Sequence, residues 1–190
     1  MRKRLFLDMD GVLVNWLEGV HRLNHWPYTE GTWPYKMGPE GWYFYRELGV
    51  SGKNLFDGQG RAFWRSLEWL PEGKSVFKMC EGLFGNRMCL LTNPHDGEGV
   101  VDGRKDWIKR EIPHMSKRVL IGACKEMCAT PDTILIDDFE ENIITWRKAG
   151  GIGVLMPSPW NSLHQQTKHY TPTEWVGENL IKILSTGEQL

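Results

Sequence analysis

The sequence predicts an α/β protein: a parallel sheet with a small, mainly helical cap inserted after the first strand. Three observations carry this expectation. Five short runs rich in Val, Ile and Leu, at 4–8, 87–91, 119–121, 133–136 and 152–155, are bounded by Gly, Pro, Asn or Asp, the pattern of strands buried on both faces. Helix-like segments at 74–83, about 101–111 and 140–149 separate them, and strands alternating with helices wind into a parallel sheet whose ligands gather at the carboxyl ends of the strands. The alternation fails between about 16 and 73, where six of the ten tryptophans fall.

In chain order, the first strand, "RLFLD", closes on Asp8, with Asp10 and Gly11 next in "DMDGVLV". The stretch "NHWPYTEGTWPYKMGPEGWYFYRELG" and the later "FWRSLEWLPEG" mix Gly, Pro and aromatic residues over more chain than a simple connection needs. The expected domains are therefore 1–15 and 74–190 for the core and 16–73 for the cap, with most of the aromatics filling the cap's own small core. The second strand, "RMCLLTNP", ends on Thr92 and Asn93, and Lys125 follows the third in "IGACKEMC". The fourth, "TILIDDFEEN", ends on Asp137 and Asp138 and leads into "EENIITWRKA", acidic in its first turn, basic in its last and stopped by Gly150. After the fifth, "PSPWNS" reads as a loop before a closing helix near 174–184.

At 190 residues and 41% hydrophobic the chain supports one principal domain with an appended subdomain. Lys and Arg number 23 against 24 Asp and Glu, a net charge of -1, so no excess positive charge points to an extended nucleic acid or an anionic membrane. A small-molecule partner fits better. The start "MRKR" is basic, but Asp8 and Asp10 interrupt the apolar run behind it, which neither a signal-peptide core nor a membrane span tolerates; the expectation is a cytoplasmic protein. The cysteines Cys80, Cys89, Cys124 and Cys128 form no Cys-x-x-Cys pair and read as free thiols of a reducing compartment. His21 and His25, four apart without a His-Glu-x-x-His arrangement, read as an ordinary helix surface.

Two strands that each end on a pair of aspartates at one sheet edge bring four carboxylates together. Such charges repel strongly at close range unless a cation sits among them. A hard ion with oxygen ligands, Mg²⁺, resolves this while keeping positions for water and a substrate phosphate. Thr92, the N–H of Asn93 and Lys125 offer the donors and the charge that phosphate oxygens need. Each feature alone has an ordinary reading, as a turn, a cap or a surface lysine; the ordered set does not.

That set, Asp8-x-Asp10-Gly11-Val12, then a strand ending on Thr92, then Lys125, then a strand ending on Asp137-Asp138, resembles the haloacid dehalogenase (HAD) superfamily of phosphohydrolases. The resemblance spans residues 5 to about 155. It implies a Rossmann-like parallel sheet with helices on both faces, Asp8 as nucleophile and Asp10 as acid/base. It also implies Mg²⁺ held by Asp8, the backbone carbonyl of Asp10 and Asp138, with Asp137 direct or through water, and phosphate held by Thr92, Asn93 and Lys125. The cap's position, "FWRSLEWLPEG" and "LLTNP" most resemble the 5'(3')-deoxyribonucleotidases. This implies a deoxyribonucleoside 5'- or 3'-monophosphate as substrate and a monomer or homodimer. Asn93 and Phe139 stand where that family often has Ser and Arg.

A nucleobase offers a flat apolar face on which aromatic side chains stack, and Trp16, Trp42, Tyr43, Phe44, Phe63 and Trp64 are the candidates for that contact. A carbon–halogen hydrolase on the same fold has no use for Asp10, whereas a phosphomutase uses the same aspartates. Another small phosphometabolite, a polynucleotide end, or a non-catalytic phosphate-ligand-binding protein are the other readings.

Overall fold

The computed structural model describes residues 2–29, 33–51, 55 and 59–186; residues 30–32, 52–54 and 56–58 of the expected cap lie outside them. Five strands, β1 (Arg4–Leu7), β2 (Met88–Thr92), β3 (Val119–Ile121), β4 (Thr133–Asp137) and β5 (Ile152–Leu155), form one sheet in the order β3-β2-β1-β4-β5. Every pairing is parallel, and Leu7 of β1 stands opposite Leu90 of β2 and Ile136 of β4. The Asp8 N–H donates to the Ile136 carbonyl at 3.0 Å, carrying the ladder one step beyond the strands. The ends of β1 and β4 therefore share one edge.

Because strand side chains alternate, the sheet carries two apolar layers. Leu5, Leu7, Leu90, Ile134, Ile136 and Val154 join the larger one, packed with α3 (Gly73–Phe84), α4 (Val100–Glu111) and α6 (Pro172–Thr186). Leu91, Leu135 and Leu155 join the other, covered by Ile143 and Trp146 of α5 (Glu140–Lys148), with Phe6 edge-on to Trp146 at 5.5 Å. This is the α/β fold that the strand and helix pattern predicts.

Between β1 and α3 the chain forms α1 (Trp16–Leu23), a 3₁₀ stretch (Pro39–Arg46) and α2 (Arg61–Ser66). Asn15 caps α1, its Oδ1 accepting from the Glu18 N–H at 3.3 Å. The aromatics here do not make a core of their own: Trp16, Phe44, Phe63 and Trp64 belong to the same buried cluster as Leu5 and Leu7. Contact with α4 is close, since a Cβ on Gly103 would lie 2.6 Å from both the Arg61 carbonyl oxygen and the Trp64 Cβ.

The expected histidine surface is not found. His21 is buried, its Nδ1 donating to the Pro27 carbonyl at 2.7 Å and its Nε2 accepting from the Tyr35 hydroxyl at 2.8 Å. Burial lowers its pKa. Helix α1 stops at Leu23, so His25, at φ 55, lies beyond it and the four-residue spacing never becomes a shared face. The four cysteines are free, with Cys80 buried and Cys124 exposed. Among the described residues no helix is long and apolar enough to cross a membrane.

Candidate active site

The site is assembled where β1 and β4 stop. After Asp8 the chain turns back on itself, with the Leu13 and Val14 N–H groups both donating to the Met9 carbonyl at 2.8 and 2.9 Å. Gly11 permits this turn twice over. Its φ of +80 is left-handed, and a Cβ there would fall 2.3 Å from the Asp138 Oδ2. Asp137 is fully buried; its Oδ1 accepts from the Phe139 N–H at 2.9 Å and its Oδ2 from Asn142 Nδ2 at 3.0 Å. Asp138 accepts at Oδ2 from the Trp160 indole N–H at 2.6 Å. Lys125, on a 3₁₀ turn after β3, donates to Asp8 Oδ1 and Asp137 Oδ2, both at 2.7 Å.

Carboxylate oxygens of Asp8, Asp137 and Asp138 lie within 4.8 Å of one another. Burial pushes the Asp8 carboxyl up to about 7; Lys125 opposes this, and Asp137 and Asp10 reinforce it. Burial, then the charges of Asp137 and Asp8, raise Asp138 too. For Lys125 burial acts to lower the pKa, but Asp137 and Asp8 outweigh it and hold the ammonium charged. One ammonium among three buried carboxyls leaves the cluster short of positive charge. Three convergent carboxylates, one of them seated against Gly11 where any Cβ would displace it, fit a hard divalent cation such as Mg²⁺.

The Asp10 carboxylate is not in that cluster. It pairs with the guanidinium of Arg104, a residue of α4 that the sequence reading does not single out. At the end of β2, Thr92 is fully buried and does not line the adjacent cavity; its Oγ1 has no hydrogen-bond partner among the described residues. Asn93 lines the cavity, and its carbonyl accepts from Arg104 Nη1.

That cavity, of about 240 Å³, has Asp8, Asp10, Asn93, Lys125 and Asp138 on its floor side and an aromatic wall of Trp16, Trp33, Trp42, Phe44, Phe139 and Trp160. Trp33 meets Trp160 at 4.9 Å and Trp42 meets Phe139 at 5.1 Å between ring centroids. Of the six expected aromatics, Trp16, Trp42 and Phe44 line it. Tyr43, Phe63 and Trp64 do not. Tyr43 sits at a kink in the 3₁₀ stretch, at φ -89 and ψ 22, and is exposed under the Arg46 guanidinium, 4.3 Å above its ring. Phe63 and Trp64 are packed edge-on in the core at 5.3 Å. Trp33, Phe139 and Trp160 line the cavity without having been expected there, as do His95, Asn15 and Asn142.

No family model matches the chain, and no curated protein matches it. Solved structures do. A hydrolase of the haloacid dehalogenase-like family from Streptococcus pneumoniae superposes with a TM-score of 0.51 at 13% identity, over 98% of this chain and 99% of that one. A hydrolase from Pseudomonas syringae gives 0.52 at 12%, over 96% and 99%. The HAD-hydrolase YfnB from Bacillus subtilis, bound to magnesium, gives 0.52 at 12%, over 97% and 100%. At these identities the likeness is one of architecture, and what the comparisons establish is that this chain has the HAD-like α/β fold.

Proposed function

We propose that the protein is a Mg²⁺-dependent phosphomonoester hydrolase acting on deoxyribonucleoside monophosphates in the cytoplasm, with 16–73 as the cap that closes over the substrate. The observation that carries this reading is the buried group of Asp8, Lys125 and Asp137 under a cavity that Asp10 also lines. Lys125 engages Asp8 Oδ1, which leaves the second carboxylate oxygen to attack phosphorus in line. The Asp8–phosphorus bond forms as the bond from phosphorus to the nucleoside oxygen breaks, and Asp10 gives that oxygen a proton. Asp10 then takes a proton from the water that attacks the aspartyl-phosphate, releasing phosphate and restoring Asp8.

Thr92, the Asn93 N–H and Lys125 hold the remaining phosphoryl oxygens, and the Thr92 hydroxyl, which has no partner among the described residues, supports that role. Mg²⁺, held by Asp8, Asp138, the Asp10 carbonyl and Asp137, would supply charge neutralisation for the transferring group. The aromatic wall supports a nucleobase as the rest of the substrate, since stacking contributes about 1–3 kcal/mol per base in single-stranded nucleic-acid binders. Sugar hydroxyls against the same wall would be left unpaired.

The test is phosphate release from deoxy- and ribonucleoside monophosphates and from sugar phosphates, with and without Mg²⁺. Deoxynucleotides are expected to lead, and chelation to stop the reaction. Equal efficiency on small sugar phosphates would return the aromatic wall to packing, and full activity in excess chelator would remove the metal.

A further inference from the structure

Arg104 is 1% exposed, and a buried guanidinium is destabilising unless its donors are met. Its Nε has no partner among the described residues, but its two Nη arms reach the two loops on which the proposed chemistry depends. Nη2 bonds the Asp10 carboxylate, while Nη1 donates to the carbonyls of Asn93 and Pro94 at 2.5 and 3.1 Å. The guanidinium plane is supported by the Trp64 ring, 4.1 Å from its centroid. The charges at this sheet edge are divided accordingly. Lys125 serves Asp8 and Asp137, the Trp160 indole serves Asp138, and Arg104 draws the fourth carboxylate out of the acidic cluster.

We propose that Arg104 is the positioning residue of the acid/base: it fixes Asp10 against the loop after β2, apart from the cation ligands and at a set place in the cavity wall. The inference rests on the phosphatase reading above. A carboxylate freed from Arg104 would turn toward the cation or sample several rotamers, and proton transfer to the leaving oxygen would suffer while phosphate binding would not. Trp64, expected to meet substrate, acts instead as the platform under Arg104.

The experiment compares wild type, Arg104→Met, Arg104→Lys, Asp10→Asn and the Asp10→Asn/Arg104→Met double variant of the full chain with Mg²⁺. Two esters are used, a deoxynucleoside monophosphate and p-nitrophenyl phosphate, whose leaving group departs without a proton. Arg104→Met is expected to lower kcat on the nucleotide by about 10–100-fold, a part of what general acid–base catalysis supplies, with KM little changed. On p-nitrophenyl phosphate it should keep a stoichiometric burst of nitrophenolate followed by slow turnover, because only the second step then needs Asp10. The double variant should be within about twofold of Asp10→Asn alone, as expected of residues acting as a unit. Arg104→Lys, which keeps the charge and loses the fork, should show the same signature at a smaller loss.

A burst lost in proportion to turnover, or losses that multiply with Asp10→Asn, would overturn the inference. If Arg104→Met does not fold, Arg104→Lys decides: unchanged kcat on the nucleotide, or a lost burst, overturns it. Wild type inactive on both esters, or Asp8→Asn fully active, brings down the phosphatase reading and this inference together. An active wild type with an inactive Asp8→Asn but no burst signature brings down this inference alone.

Discussion

Strands β1 and β4 end side by side on the same pattern, an apolar run closed by two aspartates, and the chain holds the two pairs in different ways. Asp137 and Asp138 are adjacent, and both enter the acidic cluster. Besides the Lys125 that Asp137 shares with Asp8, a ring of neutral donors, the Phe139 N–H, Asn142 and Trp160, fixes their oxygens. Asp8 and Asp10 are parted by Met9 and followed by the left-handed Gly11, and only Asp8 enters the cluster, while Asp10 leaves it for Arg104. A one-residue spacer and a turn thus convert a pair of ligands into two side chains with separate surroundings. The β4 end is arranged to hold, and the β1 end to divide.

The comparison breaks most completely at Asp8. Asp8→Asn keeps the shape and removes the proposed nucleophile, so phosphate release should fall below detection while the circular dichroism spectrum stays that of the wild type; wild-type release would end the assignment. Next in size is the contrast between the two ends in metal binding. Asp138→Asn should weaken Mg²⁺ by at least about 10–100-fold by calorimetry, whereas Asp10→Asn, whose carboxylate lies outside the cluster, should bind Mg²⁺ almost as wild type. Equal losses would erase the division between the ends.

Gly11→Ala sharpens the point of contact between them. Left-handed backbone alone costs about 1–3 kcal/mol for a residue with a Cβ, and the approach to Asp138 adds to it. Gly150→Ala, at φ +92 with no atom of the described residues within 4 Å of the added Cβ, is the control that bears only the backbone part. Urea unfolding should therefore show Gly11→Ala to be the more damaging; equal losses would mean that Asp138 moves aside freely.

The last effect is on stability without substrate. Asp8 has a folded value of about 7 against an ordinary 3.8. The folded metal-free protein thus holds a proton that the unfolded chain gives up, and this contribution is full below the ordinary value and lost as pH rises through the folded one. Its Tm should fall over that window, and Mg²⁺ should restore it increasingly toward neutral pH, by about 2.7 kcal/mol at a hundred times its Kd. A Tm indifferent to Mg²⁺ near neutrality would mean that the cluster does not hold the ion.

The sheet was legible because its five runs are apolar on both faces, and the residues at their ends follow from parallel topology alone. Arg104 was not legible as a residue type, since α4 also carries Lys105, Lys109 and Arg110. Position held the signal. Val100, Gly103, Arg104, Trp107 and Ile108 are the buried residues of α4, spaced as one helical stripe, and a charge on that stripe needs a buried partner. Trp160 was passed over in a loop, although that loop leaves β5 at the same edge as Asp138. That Tyr43, Phe63 and Trp64 do not line the cavity was not legible, because composition cannot tell an aromatic that faces a cavity from one that faces a core.

The insertion's buried side is continuous with the sheet's, and Gly103 lets α2 sit on α4 with no space between. A covering segment joined in this way is not an exchangeable cassette. Grafting another chain's lid in place of 16–73 would strip Trp16, Phe44, Phe63 and Trp64 from the interior at once, so a chimaera would lose its folding before it displayed a new preference. Under the proposed function, a change of selectivity would come one wall residue at a time, at Trp33, Trp42 or Trp160, where a ring borders the cavity.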